Sequence, residues 1–138
     1  MAKYKGKEIN TTPTDAMKAE ARRGLEWRKE FKRGGTEVGV ARARDISNGR
    51  ELSVDTVRRM HSYFARHEVD KKAEGFRPGE KGYPSAGRIA WALWSGDSGR
   101  AFAARVVKSA DAQDERSEVT GSVRKALAKK AKDHNDEH

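Results

Sequence analysis

The sequence predicts an all-α fold: a small compact helical domain of about five helices with flexible basic termini. Three observations predict it. Read at helical spacing, Pro84 to Trp94 places Ala86, Ile89, Ala90, Trp91, Leu93 and Trp94 over more than half its circumference, with Arg88 the clear interruption. A helix apolar over so wide an arc is normally buried between other elements. Val54 to about His67 carries the clearest two-faced pattern: Val57, Met60, Phe64 and Ala65 on one side, Tyr63 and His61 at its edges, and Asp55, Arg58, Arg59, Ser62 and Arg66 opposite. The chain shows no convincing strand pair and no internal repeat.

The elements follow in order. Residues 1–11 have no clear period and read as a mobile basic arm. Thr12-Pro13-Thr14-Asp15 makes a helix start, with Thr12 as N-cap and Pro13 at the first helical position. That helix runs through Met17, Ala21, Gly24, Leu25, Trp27 and Phe31 to Gly34-Gly35. Arg28 falls within its apolar arc, which implies an ion pair or a stem lying along apolar surface. Val38 to about Ser47 is a short helix closed by Asn48-Gly49, and Ser53 caps the next. Residues 70–84 form a long Gly-, Pro- and Lys-rich loop. After the apolar helix, Ser95 to Gly99 turns into a helix with Phe102, Val106 and Val107 inward. Residues 111–118 are polar, and from Gly121 to about Lys132 only Val123 and Leu127 are apolar anchors, so fraying or disorder is expected.

Length and aromatic placement set the domain plan. At 138 residues the chain is one domain, and nine of its ten aromatics lie between Trp27 and Phe102. The plan is a basic arm (1–11), a helical domain (12–110) and a charged tail (111–138), the last partly helical or disordered. With no cysteine, disulfides and thiolate metal sites are excluded. No apolar run approaches the roughly 18 residues of a membrane span, and no signal peptide opens the chain. The expected location is therefore the cytoplasm of some cell. A formal net charge of +9 favours polyanions, nucleic acid first.

Chemistry-bearing constellations are few. Gly96-Asp97-Ser98-Gly99 spells a tetrapeptide known from trypsin-like proteases, but that chemistry needs a His and an Asp positioned by a large β-barrel scaffold. A glycine-rich helix–helix turn explains it, with anion binding by Gly96, Ser98, Gly99 and Arg100 a secondary reading. His61 and His67 are six apart, a spacing that does not share one helix face. No metal and no cofactor is expected, and no catalytic group supports an enzyme. Val38 to Met60 resembles a helix-turn-helix unit, with Ser53-x-x-Thr56-Val57-Arg58-Arg59 opening a recognition-type helix. Its connection is longer than usual and Asp55 is negative, so an αα-hairpin with a solvated basic face reads equally well.

A wider resemblance covers most of residues 27–97. Trp27–Thr36, Ala41–Asp45, Ser53–Met60, Phe64–Asp70 and Gly82–Asp97 are similar to a bacteriophage family. That family is marked by Trp-Arg-x-Glu-Phe, Arg-His-Glu-x-Asp and Gly-Tyr-Pro-Ser-x-Gly-Arg-Ile-Ala-Trp-x-Leu-Trp. Its members occur as small free-standing proteins or joined to head-associated proteins. This chain departs at Ser95, where glycine is usual, and at Phe102, where tryptophan is usual. The resemblance implies phage origin, in the host cytoplasm or the virion, and carries no activity.

The functional expectation is a non-catalytic nucleic-acid binder, DNA favoured, using Arg42, Arg44, Arg58, Arg59 and Arg66, with Lys125, Lys129 and Lys130 on the tail. The alternative is a head-assembly or host-protein interaction module that offers the same basic surface to an acidic protein.

Overall fold

The computed structural model describes residues 1–136, with side chains throughout except Thr120, Ser122, Val123 and those from 128 onward. The chain is mostly helical, as expected. Its elements are β1 (Ala2–Tyr4), β2 (Lys7–Ile9), α1 (Asp15–Phe31), α2 (Glu37–Ser47), α3 (Val54–His67), a 3₁₀ turn (Glu68–Lys72), α4 (Ala86–Leu93) and α5 (Gly96–Asp136).

α4 is the centre of the fold and touches all four other helices. Its Ile89, Trp91, Ala92 and Leu93 are buried, which is why so much of its circumference is apolar. Trp91, Leu93 and Trp94 join Met60 and Phe64 in one core cluster, while Ile89 is buried beside the Gly34 turn. The Ser85 hydroxyl accepts from the Arg88 N–H at 3.0 Å, so the helix begins after Ser85 and not at Pro84.

Helix ends follow local chemistry with small displacements. The cap of α1 is Thr14, not Thr12: its hydroxyl accepts from the Met17 N–H at 3.2 Å. Thr11 is buried and its carbonyl takes the Leu52 N–H, which holds the chain extended before that cap. Lys32 closes α1 in the left-handed region at φ 52°. Phe31, expected in the apolar arc, is 38% exposed. Arg28 does form its ion pair, with Glu37 at 3.1 Å. In α3 the buried stripe is Val54, Val57, Met60, Tyr63 and Phe64; Tyr63 is inside and Ala65 outside, the reverse of their expected places.

The largest departures are at the ends. The N-terminal arm is a β-hairpin, with Lys3 opposite Glu8. Lys5 and Gly6 both have positive φ (46° and 85°), which a two-residue hairpin turn matched to strand twist requires. Ile9 is buried, and Tyr4 Oη donates to Asp114 at 2.7 Å. Gln113 Nε2 donates to the Lys5 carbonyl at 2.6 Å, and the Lys5 ammonium meets Asp114 at 2.7 Å. Their anchor is α5, which runs unbroken through the polar 111–118 segment and the expected tail to Asp136. The hairpin is therefore packed on the helical domain through Gln113 and Asp114, polar residues that serve as its partners.

This latch should respond to acid. Hydrogen bonds from Lys5 and then Tyr4 hold the Asp114 carboxyl below its ordinary value. A carboxylate with a lowered folded pKa contributes stability above its unfolded pKa of about 3.9 and loses it as pH falls through the lowered value. Amide protection across Lys7–Ile9 should therefore fall below about pH 4. Asp114→Asn should remove that pH dependence, and protection constant down to pH 2 would refute the latch.

Candidate nucleic-acid interface

The tertiary structure separates the arginines that the sequence grouped. α2 lies against α1, whereas α3 lies against α5. A helix-turn-helix packs its two helices on each other, so that expectation is corrected: α2 and α3 belong to different helix pairs. Arg42 and Arg44 therefore do not extend a patch on α3 by way of a paired helix. Arg42 is largely buried and pairs with Asp45 at 3.5 Å. Arg44 is exposed on α2 away from the groove described below.

On α3, three arginines have two fates. The guanidinium of Arg58 is held by Asp111 at 2.9 Å and Asp114 at 3.0 Å. It forms part of the hairpin latch, and its charge is already neutralised. Arg59 and Arg66 are exposed and form no ion pair among the described residues. Seven residues apart on one helix, they project from the same side about 10 Å apart along its axis.

Arg59 and Arg66 border an open groove of about 770 Å³. It is also lined by Arg58, by Gly35, Thr36 and Val38 at the entry to α2, by Gly87 and Ala90 of α4, and by Trp94, which caps α4. Three rings stack along it. Trp94 lies on Tyr63 with centroids 4.7 Å apart and planes at 12°, and Tyr63 lies on His67 at 4.5 Å and 28°. Such near-parallel pairs are favourable when offset. Burial, with a smaller contribution from Asp70, raises the Tyr63 pKa, so the phenol stays neutral. His67 Nδ1 lies 3.0 Å from Asp70 Oδ2, which fixes the ring edge.

Sequence reasoning placed Tyr63 at the edge of the apolar stripe and His67 at the end of the helix, and gave neither a part in nucleic-acid binding. The signal was present, since residues at i and i+4 of a helix are neighbours on one face. What could not be read is Trp94, brought from α4.

The secondary anion site has another explanation. Glu20 packs against Gly96, where an added Cβ would lie 2.7 Å from its Cγ. Asp97 accepts from Trp91 Nε1 at 3.0 Å and pairs with Lys71 at 2.9 Å. Partial desolvation opposes ionisation of Asp97, but Lys71 and the indole N–H outweigh it and lower its pKa. Arg100 faces Glu68 at 3.4 Å. Two carboxylates of the protein itself thus sit at the positive end of α5, beside Gly96, Ser98 and Gly99. Ser95, buried and at φ 75°, makes the turn between α4 and α5.

On the tail, Lys125 is exposed on α5, and the side chains of Lys129 and Lys130 lie outside the described residues. Among the described residues no group of three His, Asp or Glu side chains could hold a metal ion, and no helix is long and apolar enough to cross a membrane. Compared with known protein families, curated proteins and solved structures, the chain matches none of them.

Proposed function

We propose that this protein binds nucleic acid without catalysis, with DNA the favoured form, and that Arg59 and Arg66 are its principal phosphate contacts. The observation that carries the reading is the contrast among its arginines. Arg28, Arg42, Arg58 and Arg88 are all neutralised by carboxylates. Arg59 and Arg66 stand exposed beside an open groove in a chain of net charge +9. Unpaired cations on an exposed face are what a polyanion neutralises, with release of its counterions. Arg44 and Lys125 add to the general attraction from other surfaces. The phage resemblance of residues 27–97 supports a role for this binding in the host cytoplasm or the virion.

The test is fluorescence anisotropy with labelled single-stranded and duplex oligonucleotides from 50 to 200 mM salt. Arg59→Ala/Arg66→Ala should lower the slope of log K against log salt by roughly 1.4–1.8, at about 0.7–0.9 per lost phosphate contact. Both side chains are exposed, so the melting temperature should move by no more than a degree or two. Absence of affinity for any nucleic acid at 50 mM salt would instead favour capture of an acidic phage-head or host protein.

A further inference from the structure

We infer that the groove beside α3 takes single-stranded nucleic acid, with one unpaired base stacked at the His67 end of the Trp94–Tyr63–His67 column. This inference rests on the nucleic-acid reading above and names the form of nucleic acid that the site selects.

Shape argues first against a duplex. A helix that reads duplex DNA must enter a major groove about 12 Å wide and present its N-terminal residues to base edges. Here the first turn of α3 carries an exposed acid, Asp55, and its cap is closed by the Ser53 hydroxyl on the Thr56 N–H. The arginine row is also crowded by other elements. The segment from Gly35 to Val38 lines the same groove. Arg58, which lines it too, is tied to Asp111 and Asp114 of α5 and lies 3.5 Å from Tyr4 of the hairpin. Such a recess does not suit a rigid double helix. Its volume of about 770 Å³ lies within the roughly 300–1,000 Å³ of clefts that enclose small molecules. A base with its sugar is of that class.

Chemistry then says what enters. Proteins that hold single strands combine a cationic track for the backbone with aromatic rings on which bases stack. Both parts occur here within one groove. The ring column is rigid, because Trp94 and Tyr63 are buried at 8% and 5% exposure, and it ends at His67, whose side chain is 41% exposed. Tyr63 covers one face of the imidazole and Asp70 holds its Nδ1 edge, so the ring is oriented before any ligand arrives. The Asp70 carboxylate also repels phosphate from that end of the groove. The sugar–phosphate chain is thereby directed to Arg59 and Arg66, and the uncharged base to the column.

The experiment uses the full chain with fluorescein-labelled (dT)15, a duplex of equal length, and a strand of equal charge with abasic sites in place of bases. Wild type should bind (dT)15 more tightly than either competitor at the same salt. His67→Ala should weaken (dT)15 binding about 5- to 150-fold, the range for one lost base stack, with the salt slope unchanged. His67→Phe should retain most of the affinity, because a stacking face is preserved while the hydrogen bond to Asp70 is lost. Equal or tighter binding of duplex, unchanged (dT)15 affinity in His67→Ala, or equal loss in His67→Phe and His67→Ala would each overturn the stacking site. Those three results leave the nucleic-acid reading standing if Arg59→Ala/Arg66→Ala still lowers the salt slope. No binding of any probe at 50 mM salt would remove both.

Discussion

Leu93→Ala is expected to destabilise the protein by about 2–5 kcal/mol, which is the range for truncating a buried leucine. Leu93 is fully buried on the helix that touches all the others, and it packs beside Gly24 of α1, the Gly35 turn and Gly39 of α2. Those neighbours are glycines without side chains to swing into the space, so little collapse is available to reduce the cost. At roughly 4 °C per kcal/mol for a chain of this size, the melting temperature should drop by about 8–20 °C. Leu93→Met keeps most of the volume and should cost under about 1.5 kcal/mol. Thermal melts of both variants by circular dichroism check the pair. A Leu93→Ala protein melting within two degrees of the parent would show that α4 is not the centre of the core.

Gly24→Ala should also destabilise, against the ordinary rule for helices. An exposed mid-helix glycine replaced by alanine gains roughly 0.5–1 kcal/mol, because the unfolded chain loses freedom. At Gly24 the added Cβ would lie 2.7 Å from the Leu93 N and 2.9 Å from the Ala92 carbonyl carbon. These are backbone atoms of α4, which cannot rotate aside as a side-chain tip can. α1 would have to move off α4, and overpacking of this kind costs about 1–3 kcal/mol or more. Gly121 provides the control. An added Cβ there meets nothing within 4 Å on the exposed part of α5, so Gly121→Ala should stabilise or leave the melt unchanged. Urea unfolding of the two variants should give shifts of opposite sign. A Gly24→Ala midpoint at or above wild type would mean that the α1–α4 approach is looser than described.

The same two helices show where sequence reading works. The apolar arc of α4 and the stripe of α3 were legible because a helix places residues three and four apart on one face, whatever surrounds it. Caps at Ser53 and glycine-marked helix ends were legible for the same local reason. Thr14 in place of Thr12 is a small shift, caused by a non-local bond: Thr11 gives its carbonyl to Leu52. The hairpin was missed because its strands are only three residues each and its one local signal is Lys5-Gly6. Its stability comes from Asp114 and Gln113, more than 100 residues away.

The candidate site divides in the same way. That Arg58, Arg59 and Arg66 lie off the buried stripe of α3 follows from periodicity alone. Which of them remains available does not, because neutralisation depends on carboxylates supplied by other elements. Asp111 and Asp114 reach Arg58 across 53 and 56 residues, and no comparable partner among the described residues meets Arg59 or Arg66. The ring column likewise needs Trp94 to be delivered from α4 onto Tyr63. By itself the sequence determined that α1 to α4 are helical and, to within a residue or two, which faces of α3 and α4 are apolar, since those are properties of nearest turns. Only the tertiary structure decided that α3 packs on α5 and not on α2, that the N-terminal arm is latched, and that two of the three arginines lining an aromatic groove are left without an ion pair among the described residues. Those outcomes depend on pairings between distant segments, whose energies no local period records.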